Sequence, residues 1–260
     1  MSDSDLAMRY YQEALGYAAR RQFDSAYARM SKAIELIPQS AECYFYRGQF
    51  SWQMGHLDDA LNDLNRAIAL KADEAAFYSV RGRVLFTQGQ LSEAQQNAQQ
   101  AVTLEPLAEY LYEAGLYLSI QERYSESLTY LNQAIATNQE YAEAYTERGL
   151  VYSALHNNRL ARLDYDKAIE VNPSYFLAWC NRAGLHVHAK QWSQAIADAS
   201  QAIALSPGYA LSYRIRAIAY QSLGNRAAAI ADFKQFLVLN PQSPDRVWIE
   251  SELEKLELQS

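Results

Sequence analysis

The sequence is poor in the residues that punctuate sheets and staple small folds. Among 260 residues it has ten glycines, six prolines and two cysteines. So little glycine and proline, against abundant Ala, Leu, Gln and Glu, favours helix over sheet. Cys43 and Cys180 cannot make a disulfide framework, and their wide separation points to reduced thiols. No apolar run approaches the roughly 18 residues that a membrane span requires, so membrane insertion is not expected. The N-terminus, MSDSDLAMRYYQEA, lacks the basic start and apolar core of a signal peptide, which makes the cytoplasm the expected location. Positive charge is also short: a formal net charge of −7 argues against nucleic acid as the partner. Half the residues are apolar and a fifth are charged, a composition that folds.

What the chain has is self-similarity, and this decides the architecture before any local motif does. Pro38, Pro106, Pro173, Pro207 and Pro241 are spaced by 68, 67, 34 and 34 residues, a ladder with rungs missing at Ala72 and Gln139. Counting back from each rung gives seven units: 7–40, 41–74, 75–107, 108–141, 142–175, 176–209 and 210–243. Within each, apolar residues follow a helical period in two blocks. In 41–74 the blocks are AECYFYRGQFSWQM and LDDALNDLNRAIAL, broken at Gly55-His56. Gly55, Gly89 and Gly224 stand at the break, where a helix C-terminus favours a left-handed residue. Arg21, Glu122, His156 and Lys190 stand there in the other units. The proline then stops the second helix. Each unit is predicted to be a helix hairpin.

Small residues explain how the hairpins close. Position eight carries Ala14, Gly48, Gly82, Gly115, Gly149, Ala183 and Ala217, and position twenty carries Ala26, Ala60, Ala94, Ser127, Ala161, Ala195 and Ala229. Ala33, Ala67, Ala101, Ala134, Ala168 and Ala202 serve where one unit meets the next, and Phe236 replaces them in the last unit. Position four is Tyr10, Tyr44, Tyr78, Leu111, Tyr145, Trp179 and Tyr213. This combination resembles the tetratricopeptide repeat family over residues 7–243. The fourth unit departs most, with Leu111, Ser127 and Gln139 at consensus positions. The resemblance implies an all-α, right-handed superhelical solenoid of seven hairpins spanning 1–243. Residues 244–260 complete it as a capping helix and tail, with Ser243 as cap, Pro244 in the first turn and Val247, Ile249, Leu253 and Leu256 as the apolar side.

The charged residues need sorting into framework and site. Arg47, Arg81, Arg148, Arg182 and Arg216 each precede Asp63, Asn97, Asp164, Asp198 and Asp232 by sixteen residues. The first unit reverses the pair as Glu13 and Arg29, and the fourth replaces it by Ala114 and Tyr130. Charges that swap together inside a repeat point to contact between the two helices of one hairpin, since a partly buried Arg prefers a bidentate carboxylate.

No catalytic, metal or cofactor set emerges. His186 and His188 are two apart and face different sides of a helix, so they cannot jointly hold a metal. No glycine-rich phosphate loop or nucleophile elbow is present. An enzyme could be centred only on His188, Cys180 and Asn181, and a self-assembling structural module is the other alternative.

Binding remains. In the resembled family the first helices line a concave groove that accepts an extended peptide or helix, chiefly through positions two, five, six, nine, twelve and thirteen. Mapped here, these give Tyr11, Leu15, Phe45, Gln49, Trp52, Arg83, Phe86 and Tyr112 towards the N-terminus, and Asn181 and His188 further on. The aromatics are candidate anchors if they face the groove and not the core between repeats. Glu109, Glu113, Glu143 and Glu147 are expected to form an acidic strip that favours a partner with a basic segment. The carboxylate clamp of chaperone adaptors is missing, because Tyr11, Leu15, Phe45, Gln49, Ser79 and Arg83 stand where its Lys and Asn would be. The expected molecule is a monomeric protein-binding scaffold or adaptor without cofactor.

Overall fold

The computed structural model describes residues 2–258; Met1 and the last two residues of the expected C-terminal tail, Gln259 and Ser260, lie outside the described residues. Fifteen helices and no strand occur among the described residues. Contacts divide the chain into two compact units, one ending at Thr137 and the other beginning at Asn138.

The first unit holds four hairpins. They are α1 (Asp3–Ala19) with α2 (Phe23–Leu36), α3 (Ala41–Gln53) with α4 (Leu57–Leu70), α5 (Ala75–Thr87) with α6 (Leu91–Leu104), and α7 (Ala108–Ile120) with α8 (Tyr124–Thr137). The second unit holds α9 (Ala142–Ala154) with α10 (Asn158–Val171), α11 (Phe176–His188) with α12 (Trp192–Leu205), and α13 (Ala210–Ser222) with α14 (Arg226–Leu239), followed by α15 (Arg246–Leu258). Inside each unit the second helix of one hairpin packs on the first helix of the next.

Every hairpin turn uses one left-handed residue. Gly55, Gly89 and Gly224 have φ of 81°, 80° and 76°, and Arg21, Glu122, His156 and Lys190 reach 58° to 60° without glycine's freedom. At Gly55 the turn closes when Gly55 N–H donates to Trp52 O at 2.9 Å and His56 N–H to Ser51 O at 2.9 Å. These two bonds satisfy the carbonyls that a helix end leaves open.

The small positions are where helices touch. The alanines at position twenty are fully buried, and Ser127 in their place donates its hydroxyl to Gly115 O at 2.8 Å. At Gly149 a Cβ would come within 2.5 Å of the Tyr165 ring, so α9 and α10 approach as closely as they do only because no side chain is there.

The arginine ladder joins the two helices in every hairpin but the fourth, where Ala114 and Tyr130 replace the pair. Arg47, Arg148, Arg182 and Arg216 each give Nε and Nη2 to one carboxylate, that of Asp63, Asp164, Asp198 and Asp232, at 2.7 or 2.8 Å. The remaining Nη1 reaches backwards to the preceding hairpin: from Arg47 to Ser31 at 3.1 Å, Arg81 to Asn65 at 2.8 Å, Arg182 to Asp166 at 2.6 Å and Arg216 to Ser200 at 3.0 Å. The arginines also lie over the position-four rings, as Arg182 does over Trp179 at 5.0 Å. Those rings in turn hold the loop before them: Trp179 Nε1 donates to Pro173 O at 2.9 Å, and the hydroxyls of Tyr78 and Tyr213 donate to Ala72 O and Pro207 O at 3.1 Å.

At the C-terminal end α15 buries Ile249, Leu253 and Leu256 against Phe236 and Phe233 of α14. Ser243 Oγ accepts from Asp245 N at 3.1 Å. Val247, expected on the apolar side, is exposed. At 100° per residue it stands well off the face that 249, 253 and 256 share.

Candidate ligand-binding surfaces

In the first unit the mapped aromatics divide between core and surface. Phe45 is only 8% exposed and stacks on Phe77 at 4.7 Å between ring centroids, which makes it a packing residue. Trp52 is half-buried against the same cluster. Tyr11 is half-buried, meets Tyr46 edge-on at 5.6 Å and has its hydroxyl pKa pushed up, mainly by burial. It also lines a depression of about 350 Å³ with Met8, Gln12, Ile37 and Glu42. Phe86 keeps 40% exposure and rests on Tyr117 at 5.1 Å. Gln49 and Tyr112 are half-buried.

The acid residues differ from the expected strip. Glu113 is 5% exposed, accepts from Ser79 Oγ at 2.9 Å and pairs with Arg83 Nε. Burial pushes its carboxyl above the usual range, although Arg83 and Ser79 both pull it down. Glu147 is 8% exposed and also partnered. Glu109 is exposed and Glu143 half-buried, so these two keep carboxylates within reach of a ligand.

In the second unit α9, α11 and α13 enclose a depression of about 280 Å³. Leu150, Val187, Leu211 and Ile218 give it a largely apolar wall, and Asn181, His188 and Arg214 add polar groups. Gly184 belongs to its lining, and a Cβ built there meets nothing nearer than Ile215 Cδ1 at 4.0 Å. Arg214 pairs with Asp245 through Nη1, while its Nε is buried without a partner. Asn181 and His188 are thus brought to one cavity. Leu150, Leu211, Arg214 and Ile218, which complete it, were left out of the sequence-based set. They stand at positions two, five and nine, the same face of the first helices, and this spacing was the signal available.

Cys180 lines that depression too, but its thiol is fully buried and burial pushes its pKa up. A thiol held protonated is a poor nucleophile. Among the described residues no group of three His, Cys, Asp or Glu could hold a metal ion, and no helix is long and apolar enough to cross a membrane.

The chain belongs to the tetratricopeptide repeat family. Family models of that description match residues 51–109, 79–145, 146–210 and 183–254. No curated protein matches the sequence at a significant level. Among solved structures, a tetratricopeptide repeat protein from Parabacteroides merdae is 16% identical, with a TM-score of 0.77 over 97% of this chain and 99% of its own. YrrB, described as a TPR protein with an unusual peptide-binding site, is 22% identical, with a TM-score of 0.56 over 70% of this chain and 95% of its own. The APC/C hetero-tetramer Cut9-Hcn1 matches at 14% identity and a TM-score of 0.77, over 90% of this chain and 48% of that one. At such identities the likeness is one of fold. Proteins of this family generally mediate protein–protein interactions, and a repeat scaffold of this kind is typically non-catalytic.

Proposed function

We propose that the chain is a non-catalytic scaffold that binds an extended peptide or helix of a partner protein along the first-helix faces of its hairpins. The depression between α9, α11 and α13 is the principal anchor site, and the single observation that carries this reading is its chemistry. An apolar wall lies beside Asn181 and the buried, unpartnered Nε of Arg214. Such a site takes an apolar side chain while its polar groups fix the peptide backbone.

In the first unit Tyr11, Trp52 and Phe86 are the contact candidates, and Gln49, Arg83 and Tyr112 stand at neighbouring positions of the same first-helix face. A basic segment of the partner is the finer expectation, and after the burial of Glu113 and Glu147 it rests on Glu109 within the first unit and, separately, on Glu143 within the second. The free, buried Cys43 and Cys180 suit a cytoplasmic protein.

The test is titration of peptides selected against the protein from a random library. Gly184→Met and Leu211→Glu should weaken them at least about tenfold, the cost of losing one well-packed anchor, while circular dichroism shows the helical fold retained. Trp52→Ala with Phe86→Ala should weaken those that also cover the first unit. Selected peptides that bind all these variants as tightly as the unaltered protein contradict the proposal.

A further inference from the structure

The residues of the fifth and sixth hairpins that break the repeat converge on a second cavity, about 320 Å³, between the start of α10 and the end of α11. Arg162 stands where the other units carry Tyr27, Leu61, Gln95, Leu128, Ile196 and Ile230, and Arg159 where they carry Asp24, Asp58, Ser92, Ser125, Ser193 and Ala227. From α11, His186 takes a place held elsewhere by Tyr, Ser or Leu, and His188 one held by Ala, Gln, Thr, Ile or Ser. All four line the cavity, together with Arg182. The framework of one hairpin needs none of these substitutions.

The charges on its wall do not cancel. Asp198 takes Arg182 through two bonds at 2.7 and 2.8 Å and lies 3.5 Å from His186 Nε2, while His186 Nδ1 is 2.6 Å from Gln191 Oε1. Asp166 accepts from Arg182 Nη1 at 2.6 Å and is 3.8 Å from Arg162 Nε. Arg182 and His186 are therefore committed. Arg162 has one long contact, and Arg159 makes no hydrogen bond or ion pair among the described residues, so the cavity keeps two guanidiniums whose donors are almost wholly free. Arg159 also lies in the first turn of α10, where the helix dipole favours an anion.

We propose that this cavity is an oxyanion site, and that the group it takes is a phosphoryl group, either free phosphate or a monoester. Two guanidinium forks present more donors than the two oxygens of a carboxylate can take, and they match the three terminal oxygens of a phosphoryl group. Arg159, Arg162 and Arg182 against Asp166 and Asp198 leave about one net positive charge, so the preference rests on the number of acceptor oxygens. The site adjoins the apolar depression, since Leu185 and His188 line both, but its arginines line this cavity alone and it does not depend on peptide binding there.

The intact protein is titrated calorimetrically at low salt with inorganic phosphate, phenyl phosphate and acetate. Saturable binding of phosphate or phenyl phosphate, with acetate at least about tenfold weaker, is expected. Arg159→Gln and Arg162→Gln should each reduce affinity about tenfold, as loss of a charge-assisted pair does, and the double variant should show no saturation. Both side chains are exposed, so circular dichroism should show an unchanged fold; Arg123→Gln, in the first unit, should bind as the unaltered protein does. Tighter phenyl phosphate would identify an organic phosphate as the source, and tighter inorganic phosphate the free ion. No saturable binding, equal affinity for acetate, or a double variant that binds normally would overturn the proposal.

Discussion

The carboxylate of Asp63 receives both Nε and Nη2 of Arg47, at 2.8 and 2.7 Å, across the two helices of one hairpin. Donating to this carboxylate pushes the Arg47 pKa up despite burial. In the next hairpin the partner is neutral: Arg81 Nε donates to Asn97 Oδ1 at 2.8 Å, and burial lowers the Arg81 pKa. One ladder thus contains its own comparison between a charged and an uncharged rung.

Asn97→Asp should therefore raise the unfolding free energy, by about 1 kcal/mol at neutral pH, because an ionised acceptor roughly doubles a hydrogen bond's strength. The gain is net of the bond from Asn97 Nδ2 to Glu93 O at 2.8 Å, which the substitution removes. Urea unfolding at pH 7 checks the gain.

Two glycines of neighbouring hairpins should respond oppositely to alanine. At Gly149 the new Cβ meets the Tyr165 ring at 2.5 Å, so Gly149→Ala should cost about 1–3 kcal/mol, the range for overpacking a tight core. At Gly184 the nearest atom is 4.0 Å away, so Gly184→Ala should gain about 0.5–1 kcal/mol from helix propensity alone. Thermal melts of the pair separate a glycine fixed by close approach from one that no neighbour requires.

The turn residues make a third prediction. Lys190 holds φ of 58°, a left-handed conformation that costs an L-residue roughly 1–2 kcal/mol. Lys190→Gly removes that cost and adds glycine's unfolded-state entropy, roughly 0.5–1 kcal/mol. The net should be a stabilisation of about 0.5–1 kcal/mol, read from the urea midpoint at unchanged m-value.

The periodic parts of this fold were legible because they repeat. Pro173, Ala161, Gly149 and the Arg148–Asp164 pair each have counterparts a fixed distance away, and seven weak signals in register identify one hairpin. The backward bonds of the ladder, such as Arg182 to Asp166, were written at the same sixteen-residue spacing and could have been found. The site was harder to read. Whether Phe45 faces ligand or core, and whether Glu113 is free or held by Ser79 and Arg83, depends on neighbouring hairpins that local spacing does not describe. One position along a helix turns a side chain by 100°, enough to move it from groove to interface.

The claim that partners are held on the first-helix faces is tested most directly by mapping where a bound peptide shields the protein. Hydrogen exchange of the unaltered chain, with and without a library-selected peptide, should show new protection concentrated in α11 and α13 around Gly184 and Leu211. Protection confined to the second helices α10, α12 and α14, with none in α11 and α13, would contradict it.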